Sequence, residues 1–390
     1  MALGGSRALC HGPRDMALRH FRSTDAMVSV LRPGNPVYCV KPAALKDAAR
    51  RFLDGFPGRT LYAVKCNPHP VVLQALYAAG ILHFDGASIP EIAAVRELGR
   101  DTSVYYMHPV KTRDAILTAY SVYGVRHFIV DHPVELEKLF YETNNAKDLI
   151  VLVRFATPGG VARYELSQKF GAQPGDAADL LRAVAAAGCR AGLAFHVGSQ
   201  CLSPDAYRQG IALAGDIAAR AGVPIDYLDV GGGFPATYVN DVPPPLEDFF
   251  AAIRRGIEEA GISKDCIVMC EPGRALVAAG LSLVVQVQLR KESSIYINDG
   301  IYHSLSETVT GGLSHPIRAI RAEGELAEEK RNFRVFGPTC DSLDVLPQPY
   351  FLPDDIGEGD WIEIDQVGAY SNALVTKFNG FSPDSFVVIE

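Results

Sequence analysis

Four short motifs in this chain carry residues able to do chemistry, and the first is built on a lysine. Lys65 ends the apolar run Leu61-Tyr62-Ala63-Val64, and Asn67-Pro68 breaks the chain just after it. An amine at the end of a buried strand is costly unless it is paired, neutralised or covalently used. A desolvated amine also suits Schiff-base formation with a carbonyl cofactor; the alternative is a surface lysine at a strand edge. His196-Val197-Gly198-Ser199 offers an imidazole that can cover a planar ring and a hydroxyl that can donate to phosphate, unless the histidine is simply satisfied within the core. Gly231-Gly232-Gly233 costs folding entropy, so either a tight turn or a close-lying ligand must require it. Its unobstructed N–H groups suit an anion such as phosphate. Glu271-Pro272-Gly273-Arg274 combines a carboxylate with an arginine that can grip phosphate bidentately, or else the two form only a structural ion pair.

These parts converge on a planar aromatic aldehyde with a phosphate arm. Lysine would bind the aldehyde, histidine cover a ring face, glycines and arginine hold the phosphate, and a carboxylate meet the ring nitrogen. That ligand is pyridoxal 5′-phosphate (PLP), whose protonated pyridine accepts the electrons of a carbanion.

Such residues must be brought to one place by the fold. Eight short apolar runs, at 61–64, 82–84, 103–107, 127–130, 149–153, 192–197, 226–230 and 266–270, alternate with segments such as Ile89–Leu98 and Ala177–Ala187 whose composition suits helices. The alternation predicts an α/β fold, a (β/α)₈ TIM-like barrel. Polar residues fall where the runs stop: Lys65, Asp85, His108, Asp131, Arg154, His196, the glycine run, Glu271 and Arg274. The C-terminal rim of such a barrel carries the chemistry, with phosphate commonly held after strands seven and eight. Longer fifth and seventh intervals predict extra loops there.

From about Ala278 the texture changes. Leu281–Leu289 alternates as a long strand would, and Ser294–Asn298, Arg331–Phe336, Trp361–Gln366 and Ser385–Ile389 follow with little helical periodicity. The expected organisation is a tail with an edge strand over 1–36, a PLP-binding barrel over 37–277, and a β-rich, sandwich- or barrel-like domain over 278–390. The stretch Met27–Val40, with Pro33 and Pro36, is expected to supply that edge strand.

The 390 residues allow one large barrel plus a second domain. A net charge of -8 with mixed signs argues against nucleic acid as a partner. No uncharged apolar stretch reaches the ~18 residues of a membrane-spanning helix. The first fifteen residues lack a signal-peptide core and read as a loose tail, or as residues upstream of a start at Met16 or Met27. Eight cysteines without metal-ligand pairing indicate reduced, cytoplasmic usage and no metal site.

The motifs resemble those of the barrel-type (fold type III) PLP decarboxylases, the ornithine/lysine/diaminopimelate/arginine group that shares its fold with alanine racemase. The resemblance runs from about residue 37 to the C-terminus, and ornithine decarboxylases are the members most similar. It rests on Tyr62-Ala63-Val64-Lys65, Phe84-Asp85-Gly86-Ala87-Ser88, His196-Val197-Gly198-Ser199, the glycine run, Glu271-Pro272-Gly273-Arg274, Gly337-Pro338-Thr339-Cys340-Asp341, Gly368-Ala369-Tyr370 and Phe378-Asn379-Gly380-Phe381. It implies that Lys65 is the Schiff-base lysine, that Glu271 bonds the pyridine nitrogen and that His196 stacks on the ring. Ser199, Gly231, Gly232, Gly233, Gly273, Arg274 and Tyr370 would hold the phosphate region, with Asp85 and Arg154 around the cofactor face.

The resemblance further implies a homodimer in which Cys340 and Asp341 enter the partner's site. Cys340 would protonate the carbanion after carbon dioxide leaves, Asp341 would meet a distal amine, and Tyr302 would join it at the substrate. Racemases of this fold place an arginine at the ring nitrogen, so Glu271 favours decarboxylation. Cys340-Asp341-Ser342 resembles the ornithine-type motif, which implies L-ornithine decarboxylation to putrescine, with L-lysine or another diamino acid as the alternative. One departure stands out: the acid that eukaryotic ornithine decarboxylases use for the distal amine falls near Gly311, and Glu307 is the nearest acid able to replace it, or else a solvated loop residue. A non-catalytic relative would have lost cofactor residues, whereas Lys65, Glu271, Arg274 and Cys340 are all retained. A metal-dependent barrel lyase would need His/Asp ligand spacing that is missing.

Overall fold

Eight parallel strands close into a barrel in chain order: Arg59–Ala63, His83–Gly86, Ser103–Tyr106, His127–Val130, Ile150–Arg154, Arg190–Ala194, Tyr227–Asp229 and Ile267–Cys270. The structure, a computed structural model, describes residues 18–158, 162–164 and 169–390. The tail and the start at Met16 discussed above therefore lie outside the described residues. Closure is made by the eighth strand pairing with the first, with Met269 opposite Arg59. Every one of the eight apolar runs became a barrel strand.

Helices pack outside, and several begin with proline in the first turn, as at Pro70, Pro90, Pro133 and Pro174. Proline suits that position because its missing N–H would have had no helical acceptor. Alternate strand residues point inward and outward. Leu61, Tyr105, Ile129, Leu152, Ala194, Tyr227 and Met269 fill the barrel interior. Their neighbours Tyr62, Phe84, Tyr106, Val130, Val153, Leu193, Leu228 and Cys270 belong to the layer between strands and helices.

The long fifth interval holds a short strand, Ala162–Tyr164, that pairs antiparallel with Ser199–Cys201 from the sixth. No described helix is long and apolar enough to cross a membrane.

The β-rich part is organised around Leu281–Lys291. Its first half is flanked by Val37–Val40 on one side and Trp361–Ile364 on the other, and its second half pairs with Ser294–Ile297. Being covered on both faces, Leu281–Val285 is buried at every position, so the expected alternation of inside and outside fails there. Ser294–Ile297 continues to Lys330–Phe336 and Tyr350–Pro353, while Ile317–Ile320 pairs with Trp361–Ile364.

The expectation of an edge strand from Met27–Val40 is corrected. Thr24–Leu31 is a helix capped by Ser23, and only Val37–Val40 is a strand. That strand lies inside the sheet, between Leu281–Lys291 and Ser385–Ile389, and all four of its residues are buried. The chain thus enters the barrel after Val40 rather than at residue 37, with Pro42–Gly55 as the first helix of that part. Two hydrophobic faces were available to a four-residue apolar strand, and pairing on both sides satisfies its backbone fully.

Candidate active site

The inward register of the strands sets which polar side chains meet at the rim. Continuing two residues at a time from Leu61, His83, Leu152, Ala194, Tyr227 and Met269 gives Lys65, Asp85, Arg154, His196, Asp229 and Glu271. Lys65 lies in a 3₁₀ turn, Val64–Cys66, just past the first strand. Its Nζ is 2.9 Å from Oδ2 of the buried Asp85. The lysine side chain is 42% exposed into the open mouth, whereas that of Asp85 is not exposed at all. Burial alone would lower the amine's pKa, but the carboxylates of Asp85 and Glu271 outweigh it and raise the value above the ordinary lysine range.

The same turn is tied to the β-rich part. Tyr370 N–H donates to the Cys66 carbonyl at 2.9 Å, and the Asn67 side chain donates to the Gly368 carbonyl at 2.9 Å. The lysine is therefore braced from both domains.

Glu271 is half-buried, and its buried Oε1 has no hydrogen-bond partner among the described residues. Beside it Asp229, a residue not singled out from sequence, accepts from Gly231 N–H through Oδ1 at 2.8 Å and leaves Oδ2 unpartnered. Burial, and then the mutual charge of the two acids, pushes Glu271 well above the ordinary carboxylate range. Burial pushes Asp229 up to about 6. The signal that would have found Asp229 is its parity with the inward-facing Tyr227.

His196 is held below the ordinary histidine range by burial and by the nearby charges of Arg154 and Lys65. Its Nδ1 accepts from Gly198 N–H at 3.0 Å, which assigns the ring proton to Nε2. The imidazole is thus neutral and fixed.

The glycine run is demanded by both conformation and space. Gly231 and Gly233 have φ of 70° and 95°, the left-handed region that side chains resist. A Cβ on Gly232 would stand 2.5 Å from the Glu271 carbonyl oxygen and 3.1 Å from His196 Nε2. Gly232→Ala is therefore expected to destabilise the fold by roughly 1–3 kcal/mol through overpacking and to weaken cofactor uptake. Thermal unfolding with and without PLP measures both effects, and an unchanged midpoint with full uptake would show that the close approach is dispensable.

Arg274 is 4% exposed and forms a two-pronged pair with Glu307, Nη1 to Oε2 and Nη2 to Oε1, each 2.7 Å. Nη1 also donates to the Tyr238 hydroxyl at 2.9 Å, and Nη2 to Ser199 Oγ at 3.4 Å.

A cavity of about 510 Å³ opens over this floor. Lys65, Arg154, His196, Ser199, Gly233, Glu271, Gly273, Arg274 and Tyr370 line it, together with Ala87, Met107, His108, Lys169 and Phe170 nearer the mouth. Asp85, Gly231 and Gly232 stand immediately behind that lining.

The substrate candidates fall elsewhere. Glu307 does not line the cavity: Arg274 and the Tyr164 hydroxyl, 2.9 Å away, occupy its carboxylate. The expectation that it replaces a distal-amine acid is corrected on that ground. Nor is there room at Gly311, where a Cβ would come within 1.8 Å of the Tyr164 hydroxyl. Cys340 is exposed and, with Asp341, lines a separate cavity of about 880 Å³ beside Gly34–Pro36 and Gly380–Ser382 of the β-rich part. Tyr302 keeps company with them, its hydroxyl donating to Asp341 Oδ2 at 2.5 Å.

The floor residues fit PLP. Glu271 Oε1 lacks the donor that a ring N–H would supply, and the glycine run leaves open the space beside Ser199 and Arg274. The comparisons agree with that chemistry. Residues 43–278 match the sequence profile of a family described as pyridoxal-dependent decarboxylase, pyridoxal binding domain. A lysine/ornithine decarboxylase of Selenomonas ruminantium is 35% identical over 338 residues, covering 84% of this chain and 83% of the relative. Among solved structures, the arginine decarboxylase of Paramecium bursaria Chlorella virus bound to agmatine is similar with a TM-score of 0.83 and 26% identity, covering 93% of this chain and 98% of that one. The lysine/ornithine decarboxylase of Vibrio vulnificus complexed with putrescine gives 0.80 and 30%, covering 95% and 99%.

Proposed function

We propose that this chain, which belongs to the pyridoxal-dependent decarboxylases of basic amino acids, converts L-ornithine to putrescine and carbon dioxide as a cytoplasmic homodimer. The observation that carries this reading is the distribution of acids. Glu271 is the only acid among the described residues lining the cavity, and it belongs to the floor. A diamino acid brings a distal ammonium, and burying that charge without a carboxylate is expensive. Asp341 is the fitting partner. Hydrogen bonds from the Tyr302 hydroxyl and the Leu343 N–H hold its carboxyl below the ordinary range, so it is charged at neutral pH. It stands on an exposed loop with Cys340, outside the cavity of its own chain, and a second copy would deliver both residues to the mouth. The seven described cysteines are free thiols, which supports a reducing compartment.

PLP bound on this floor supplies a protonated pyridine that accepts the electrons left when carbon dioxide departs. Lys65 would hold it covalently, and Asp85 Oδ2, 2.9 Å from Nζ, is placed to take the proton that the amine would give up. Glu271 would hold the proton at the pyridine nitrogen. The neutral His196 would cover one ring face without adding a competing charge, and Arg274, Ser199 and the glycine run would grip the phosphate. Cys340 of the second copy would return a proton to the substrate's α-carbon.

Turnover on a panel of diamino acids tests the substrate. L-Ornithine is expected to exceed L-lysine in kcat/KM by roughly 10–200-fold, the usual worth of one methylene between fixed ends. Asp341→Ala should cut diamino acid turnover by about 10²–10³-fold, the cost of stranding a buried charge, while the bound-cofactor spectrum is unchanged. Faster turnover of diaminopimelate than of ornithine sinks this reading. L-Lysine is the second reading, favoured by the dual name of the Selenomonas relative.

A further inference from the structure

Arg274 has a carboxylate partner before any anion reaches it. The Arg274–Glu307 pair is buried on both sides, with side-chain exposures of 3% and 9%. Arg274 and Ser199 both line the cavity and Glu307 does not, although Nη2 reaches both Ser199 Oγ and the Glu307 carboxylate. Nε–H has no acceptor among the described residues, and the rings of Tyr164, Tyr238 and Tyr370 surround the cation at 5.9, 5.8 and 5.2 Å. Tyr164 is the cross-strand neighbour of Ser199 and donates to Glu307, so the short Ala162–Tyr164 strand braces the carboxylate.

We propose that Glu307 is a positioning residue that sets how tightly this site holds the phosphate of its cofactor. Resting on the PLP assignment of the cavity, the effect is electrostatic. A buried guanidinium without a counter-charge destabilises the fold, and Glu307 removes that penalty in the empty protein. Once phosphate lies against Arg274 beside Ser199, the same carboxylate is a like charge nearby and reduces the gain from binding. Glu307 therefore trades phosphate affinity for stability of the empty site, and it fixes the guanidinium in the plane that meets Ser199.

Equilibrium dialysis with pyridoxal 5′-phosphate and with pyridoxal separates the phosphate contribution from the rest of the cofactor. Glu307→Gln should raise the preference for the phosphorylated form by about tenfold, as expected for removing one like charge at this range in a partly buried site. The thermal midpoint of the empty variant should fall and be regained on adding PLP. Should Glu307→Gln not fold, Arg274→Met is compared with Arg274→Met/Glu307→Gln, in which no buried charge is stranded; the double variant should show the stronger phosphate preference. A preference that falls, or that stays within about twofold in whichever comparison is made, overturns the proposal. Failure of the native protein to bind PLP would instead overturn the cofactor assignment itself.

Discussion

Lys65→Ala protein incubated with PLP and reduced with borohydride is expected to carry no covalently fixed cofactor, whereas the native chain should retain one per subunit. The expectation rests on the position of Nζ, 2.9 Å from Asp85 and on the floor of a cavity whose other walls carry Glu271, His196 and Arg274. Decarboxylation should fall by about 10²–10⁴-fold, the range associated with removing a positioned group that also moves protons. The variant should remain folded, because the alanine replaces a side chain that is 42% exposed and leaves the Cys66–Tyr370 backbone bond intact. PLP should still bind reversibly through the phosphate grip. Mass spectrometry of the reduced protein decides the matter: a label persisting in Lys65→Ala would assign the linkage to another amine, with Lys169 at the mouth the first to check.

The second large effect is complementation. Lys65→Ala and Cys340→Ala should each be nearly inactive alone, yet recover activity when mixed. If the site is completed across two copies, random exchange makes half the dimers mixed, and each mixed dimer has one site with both native residues. Activity should then rise to about a quarter of the native value. The motive is geometric: Cys340 and Lys65 line different cavities of the same chain. Mixtures that demonstrably exchange subunits but remain at the level of the parents would argue for a site built within one chain.

Most of the barrel and of its floor could be read from local pattern. Strand periodicity is a two-residue property, so the eight apolar runs announced the eight strands, and the polar residue following each run announced the rim. Lys65, His196, Glu271 and Arg274 were visible because each sits in a short motif with few structural uses. The glycine run was visible because a side chain is excluded there by its own backbone.

What local pattern could not supply was the identity of distant partners. Val37–Val40 reads as an edge because nothing near it in sequence reveals that residues 281–284 and 385–388 cover its two sides. Glu307 reads as a free acid because its partner, Arg274, stands 33 residues earlier and meets it only when the β-rich part closes against the barrel. Asp229 looks like the last residue of a strand, and only burial against Glu271 makes it half of a carboxyl pair. Sequence alone determined which residue types stand on the rim, because strand parity and backbone sterics act over a few residues. Tertiary structure alone decided which charges neutralise each other, because Coulomb interactions depend on distance and burial that the linear order does not encode.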